Sequence, residues 1–216
     1  MTYGLRDGVS FCATGGRHFF LDRSANRYFA LQDRDEQIFS RLCDPGSDRA
    51  KLVGLSSALT RLLCVRAQGA LVPFALEETP ARDLEGQPIR ARLAVLLRAL
   101  LAYAMAKVQL ACRAPARLFD AYAALKPRAV THTQADQRLA ELGQAFKWVQ
   151  GWTGEGQCLA LSLGFARLAY ALGYPVSIVF AVTPRPFGAH CWVQLGPVVL
   201  NDTLNRVEIF TPIHAI

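Results

Sequence analysis

No two cysteines in this chain of 216 residues stand at C-x-x-C spacing, which removes the commonest zinc and dithiol redox sites. The six cysteines, at positions 12, 43, 64, 112, 158 and 191, are also too widely spread for a compact disulfide framework. Reduced thiols packed as small hydrophobes are expected at most of them. The amino terminus, Met1-Thr2-Tyr3-Gly4-Leu5-Arg6-Asp7, has no apolar core behind its charge, so no signal peptide is read there and a cytoplasmic location is expected. An unbroken apolar run of bilayer length is missing too. Arg90, Arg92, Arg98 and Lys107 interrupt residues 89–112 and leave eight uncharged residues between the last two, against the roughly 20 a span requires. Neither a membrane nor a metal or other cofactor is expected. No G-x-x-x-x-G-K phosphate loop and no internal repeat occur.

What is present is a globular composition, 52% hydrophobic and only 19% charged, which excludes large-scale disorder. The net charge of +7 is uneven: residues 1–80 carry ten Lys/Arg against nine Asp/Glu, and residues 81–216 carry fourteen against eight. The basic residues of the second part are scattered, without the interleaved aromatics of a nucleic-acid platform, and read as solvated faces.

Along the chain, Val9–Thr14 and Arg17–Asp22 read as strands joined at Gly15-Gly16, and Arg27–Leu31 follows as a third strand. The period then changes. Asp33–Cys43 has helical spacing and stops at Asp44-Pro45-Gly46, and Leu52–Arg66, capped by Ser47 or Asp48, continues as helix. Leu71–Leu76 is expected as a wing or edge strand. These elements predict an α+β chain that opens with a winged-helix-like domain over residues 1–78. Residues 79–88, polar and proline-bearing, read as a linker. A second domain over 89–216 is expected to place helices near 89–112, 115–125, 134–149 and 158–172 ahead of strands at 176–182, 188–195, 198–203 and 207–210.

The chemistry concentrates in that second part. Gly154-Glu155-Gly156-Gln157-Cys158 runs into an apolar helix, and a thiol at a helix start is favoured as thiolate by unpaired N–H groups and the macrodipole. His190 follows within Ala189-His190-Cys191-Trp192-Val193, and Asp202 within Leu200-Asn201-Asp202-Thr203. A hairpin turning tightly on Gly196 pairs residues whose numbers sum to 392, which sets His190 opposite Asp202 with Cβ atoms roughly 5 Å apart. A register step of one residue would separate them. Cys191 alternates to the other face and reads as core. Cys158, His190 and Asp202 are thus candidates for nucleophile, base and orienting carboxylate. Gln157 is a candidate oxyanion donor or a plain helix cap, and Trp152 and Trp192 read as core or as walls of the site.

These three runs, Cys158–Val176, Phe187–Val193 and Val199–Asp202, resemble the transglutaminase-like cysteine peptidases of lasso-peptide biosynthesis. The amino-terminal meander and helices resemble, more weakly, the leader-recognition element of ribosomally made peptide pathways, and a chain with both is similar to the fused lasso-peptide B proteins. The resemblance implies a cytoplasmic hydrolase of papain-like or transglutaminase-like architecture that binds the leader of a precursor peptide and cleaves it at the leader–core junction. It further implies that the freed amine passes to an asparagine-synthetase-like cyclase partner. Leader binding falls by that resemblance on Arg27, Tyr28, Phe29, Ala30 and Leu31, with Leu55, Leu59 and Leu62 from the helix beside them. Two other functions fit the sequence: an acyltransferase with the same three residues, and a nucleic-acid-binding regulator built on the winged helix, against which the near-neutral first 80 residues argue.

Overall fold

The computed structural model describes residues 2–44, 56–66, 71–84, 90–127, 136–154 and 156–216. In the amino-terminal part β1 (Thr2–Leu5) is followed by β2 (Val9–Thr14), β3 (Arg17–Asp22) and β4 (Arg27–Ala30), then α1 (Asp33–Cys43), α2 (Ser57–Leu62) and β5 (Leu63–Arg66). The three-stranded antiparallel meander β2-β3-β4 forms where the strand-like runs and the Gly-Gly turn placed it, with Thr14 opposite Arg17. Gly15 sits at φ +58°, and a Cβ there would lie 2.8 Å from Pro184 Cγ, so only glycine fits this turn. Ser56 caps α2 by accepting from the Leu59 N–H at 3.2 Å.

Two expectations for this part fail. The helix read over Leu52–Arg66 ends at Leu62, because Leu63–Arg66 pairs antiparallel with β1. No strand forms at Leu71–Leu76; its tie to the meander is one bond from the Phe74 N–H to the Phe11 carbonyl, 2.7 Å. Ser47, Asp48 and the start of that helix lie outside the described residues. The winged-helix reading therefore has α1, α2 and the meander, without the wing.

The carboxy-terminal part contains β6 (Arg82–Asp83), α3 (Leu93–Cys112), α4 (Pro115–Leu125), α5 (Gln137–Thr153), α6 (Cys158–Ala171), β7 (Ser177–Pro184), β8 (Phe187–Leu195), β9 (Val198–Val199), α7 (Leu204–Val207) and β10 (Thr211–Ala215). Its sheet has the order β10-β7-β8-β9-β6. Part of the expected linker belongs to it: Arg82–Asp83 pairs parallel with β9, and Asp83 Oδ2 accepts the Leu204 N–H at 2.6 Å. No strand forms at 207–210, where α7 ends at Val207 and a turn leads into β10, and the strand expected at 198–203 stops at Val199.

α6 is apolar apart from Ser162 and the partly exposed Arg167, close to the pattern of a helix enclosed on most sides. It lies between the sheet and the helices α3 and α5. A Cβ on Gly164 would come within 3.0 Å of the Tyr103 backbone nitrogen, so α3 and α6 cross at backbone contact through Gly164 and Ala102. Toward these helices the sheet turns Ile178, Phe180, Val182, Cys191, Val193 and Leu195. Val179, Ala181, Trp192 and Val199 point to the opposite face, where Val207 of α7 covers them. Among the described residues α3 is the one helix long and apolar enough to cross a membrane, with mean hydropathy 1.6 over eighteen residues.

The meander is buried on both faces. Phe11 and Phe20 pack with Phe39, Leu42, Leu59 and Leu62 of its own helices, whereas Cys12, Phe19 and Leu21 join the main core of the carboxy-terminal part. Two-sided burial explains why β3 reads His18-Phe19-Phe20-Leu21 instead of alternating apolar and polar.

Candidate active site

Cys158 is the first residue of α6, and the chain before it passes Gly154 and Gly156, at φ +75° and +79°, where a side chain would be strained. A cleft of about 380 Å³ opens here, bordered by Gln157, Cys158, Ala189, His190 and Arg206 among others. His190 projects into it from β8. Its Nε2 lies 2.5 Å from Asp202 Oδ2, both side chains are buried, and the other carboxylate oxygen accepts the Thr203 N–H at 2.8 Å. With Nε2 committed to Asp202, the remaining ring nitrogen is the one that serves Cys158. The Cys158 sulfur lies close enough to the His190 ring and to Cys191 for both to favour its ionised form, and the Cys191 thiol itself donates to the Ser162 hydroxyl at 3.6 Å.

His190 and Asp202 meet by a different route from the one the hairpin arithmetic described. The observed pairs are Gln194 with Val199 and Leu195 with Val198, a sum of 393, so the register is one residue off the expected 392. In an uninterrupted ladder that step would have turned the two side chains to opposite faces. The ladder instead ends at once. After the Leu200 N–H bonds the Val193 carbonyl at 2.9 Å, the chain leaves β8, and the Asn201 side chain takes the next ladder position by accepting the Val193 N–H at 2.7 Å. Asn201 also donates to the Ser162 hydroxyl, 3.1 Å, and Ser162 donates to the Cys191 carbonyl, 3.4 Å. The edge of β8 left bare by the short β9 is thereby filled by side chains, and its Cys191 N–H is free to face Cys158.

The remaining candidates divide. Gln157 makes no capping bond; its amide oxygen accepts from Lys107 Nζ at 2.8 Å and from the Tyr103 hydroxyl at 3.2 Å, which orients the amide because an ammonium only donates. Trp192 is enclosed and donates to Gln194 at 2.9 Å, whereas Trp152 is 64% exposed, neither core nor wall. Arg27, Phe29, Ala30, Leu31 and Leu62 border one groove of about 460 Å³ between β4 and α2. Leu59 lies beneath it, fully buried in the core, and Leu55 is outside the described residues. Tyr28 faces the other way and packs against the main core, close enough to Cys158 and Cys191 to feel their charge. Asn201, Ser162, Arg206 and Tyr28 were not singled out by sequence as parts of this site. Asn201 alone carried a signal, an amide interrupting the apolar run Val198–Leu200.

A family model for the transglutaminase-like superfamily matches residues 99–215, more than half of the chain. The chain belongs to that superfamily. No curated protein and no solved structure matches it. The matched region of this transglutaminase-like protein runs from within α3 to the end of β10 and so contains Cys158, His190 and Asp202.

The electrostatics of the transglutaminase-like site favour an ion pair. The contact with Cys191, assisted by the His190 ring, holds the Cys158 thiol well below its ordinary value against the opposing effect of burial. Burial disfavours a charged His190, but the Asp202 carboxylate and the nearby Cys158 sulfur outweigh it and lift the imidazole to about 9. Cys191 moves the other way, held as a neutral thiol by its contact with Cys158 and by complete burial. Among the described residues no group of three His, Cys, Asp or Glu is placed to hold a metal ion.

Proposed function

We propose that this transglutaminase-like protein is a cysteine peptidase that removes the leader from a ribosomally made lasso-peptide precursor. The observation that carries the reading is the chain of contacts Cys158–His190–Asp202, with a thiolate-favouring sulfur at a helix start and an imidazole anchored through Nε2. Cys158 Sγ attacks the scissile carbonyl, and the tetrahedral oxyanion is met by the Cys158 N–H at the start of α6 and by the Gln157 amide. His190 delivers its proton to the departing amine. It then takes a proton from the water that hydrolyses the acyl-enzyme, and Asp202 keeps the ring in the productive tautomer throughout.

In this reading residues 1–78 deliver the substrate. A leader peptide adds as a strand along the outer edge of β4, its backbone satisfied by β4 and its side chains received by the groove between β4 and α2, which supplies pockets for alternate residues. The freed core amine becomes the nucleophile for an asparagine-synthetase-like cyclase, the expected partner. Motif resemblance supports these finer steps, and superfamily membership supports the thiol chemistry.

Cys158→Ala is expected to abolish precursor cleavage, followed by mass spectrometry, while leader binding persists; full cleavage by that variant would sink the proposal. Superfamily membership also favours a second reading, in which an amine intercepts the acyl-enzyme. Adding a primary amine during turnover distinguishes them, because only an acyltransferase accumulates the amide in preference to the acid.

A further inference from the structure

α3 is exposed along one whole side. Its buried side is a strip of small residues, Ala99, Ala102 and Ala106, in the core that it shares with α6. Every exposed position of the helix other than Arg98 and Lys107 is Leu, Val, Met, Ala or Cys. Leu93, Leu97, Leu100, Leu101, Met105 and Val108 carry this apolar band, and they are between 37% and 70% exposed. At about 1.5 Å per residue, the 20 residues of α3 make the band about 30 Å long. Arg98 and Lys107 stand nine positions apart, about two and a half turns, so they mark its opposite edges.

The neighbouring helix extends this surface. Glu141, Trp148 and Trp152 stand at i, i+7 and i+11 and so share one stripe of α5. Both oxygens of Glu141 take Arg92, the residue before α3, at 2.8 and 2.9 Å, and this ties the stripe to the start of α3. Trp148 and Trp152 are both exposed. The surroundings are basic: from Gln87 to Phe119 the sequence has six Lys/Arg and no Asp/Glu. Lys107, at one edge, bonds the neutral Gln157 amide, which leaves its charge uncancelled. Near the other, Arg98 and Arg138 border a cleft of about 520 Å³ between α3, α5 and the end of α6, with Val95, Leu142 and Leu168 among its walls.

We infer that α3 and the tryptophan stripe of α5 dock this protein on an anionic lipid surface, with α3 lying in the plane of the bilayer. The apolar band enters the acyl boundary, Arg98 and Lys107 reach lipid phosphates from its two edges, and the tryptophans sit at headgroup depth, where an amphipathic ring is favoured. The band has no exposed amide or hydroxyl to fix the register of a protein partner, whereas lipid needs no register. A second copy would bring one basic rim against another and be repelled. Crossing the bilayer is excluded, because the other side of α3 is held at backbone contact by α6. Attachment along the surface leaves that packing intact, and it holds whichever bond Cys158 cuts.

The test mixes full-length protein with vesicles of equal parts phosphatidylcholine and phosphatidylglycerol, and reads bound protein by sedimentation and by tryptophan emission. Trp192 is enclosed, so a change in emission reports Trp148 and Trp152. Binding is expected, with emission shifted to shorter wavelength and quenched more by a spin label near the headgroup than by one near the acyl end. Vesicles of phosphatidylcholine alone should bind at least about tenfold more weakly. Leu97→Gln combined with Leu101→Gln should weaken binding about tenfold or more, and Arg98→Gln about fivefold. Unchanged Tm and unchanged iodoacetamide labelling of Cys158 establish that the variants are folded; where the double variant melts lower, Val108→Gln carries the comparison. No binding to the mixed vesicles, binding undiminished by these substitutions, or binding without the emission shift would each overturn the inference. Self-association that depends on Leu97 and Leu101, with no vesicle binding, would do the same and assign the face to a protein contact.

Discussion

The imidazole of His190 is held at Nε2 by the Asp202 carboxylate, and both that carboxylate and the nearby Cys158 sulfur stabilise the protonated ring. Since Cys158 ionises well below its usual range and His190 only near pH 9, the ion pair spans the whole interval between them. Alkylation of Cys158 by iodoacetamide, read peptide by peptide, should therefore already be fast at pH 6. In His190→Ala its onset should move up toward that of a free thiol, about 8.5. An unchanged profile would remove His190 from the site. Asp202→Asn should lower kcat by about 10²–10⁴-fold with little change in KM, because the ring loses its tautomer and orientation while the binding surfaces remain. Asn201→Ala should act on the same quantity through position alone, because the Val193 N–H loses its acceptor and the bend that carries Asp202 loses its anchor. Asn201→Asp, which restores an acceptor, should recover part of kcat.

β9 is two residues long, and that brevity opens the active site. A longer strand would have paired with β8 past Leu200, occupied the Cys191 N–H and carried Asp202 out to the wrong face in the observed register. On the other side of Cys158, α6 is held at backbone distance from α3. Gly164→Val should destabilise the protein by about 1–3 kcal/mol or more, seen as a lowered Tm, because its Cβ meets the α3 backbone and not a yielding side chain. Gly151→Ala, in α5 with nothing within 4 Å of the added Cβ, should raise stability by about 0.5–1 kcal/mol. Opposite signs for two glycines in neighbouring helices would separate close packing from helix propensity. Equal effects would refute the packing account.

The molecule as a whole is joined through the meander, whose Phe19 belongs to the main core and whose Phe20 belongs to the amino-terminal one. Phe19→Ala should thus cost about 3–5 kcal/mol and lower the melting temperature of both parts together in one transition; two separated transitions would mean that the parts fold independently. The junction also sets an acid limit. His214 of β10 lies between Phe74 and Phe180, each about 6.0 Å away, with Nε2 buried and unpartnered. Burial, together with the charge of Arg23, depresses its pKa to about 4. A histidine whose folded pKa lies below its unfolded value of about 6.5 costs stability as pH falls, beginning near 6.5 and complete below about 4. His190, raised to about 9, has the opposite sign: its contribution is full below about 6.5 and is lost as pH rises through 9. His214→Phe should therefore raise Tm more at pH 5 than at pH 8, and an equal gain at both would show that the buried ring does not titrate.

Much of this was legible in sequence wherever the signal is local. Two strand-like runs around Gly15-Gly16 specify the meander, and a glycine approach and an apolar run specify the Cys158 helix. Propensity and pattern act over a few residues, so they survive in the one-dimensional chain. Tertiary structure decided what depends on partners distant in sequence. Leu63–Arg66 became a strand because β1, some sixty residues earlier, offered an edge; Arg82–Asp83 joined a sheet whose other strands begin at Ser177; and Tyr28 came to stand beside Cys158. The His190–Asp202 pair belongs to both. The two residue types were readable, but the ladder's register was not, because a side chain, Asn201, replaced the backbone at the one position where a regular hairpin would have separated them.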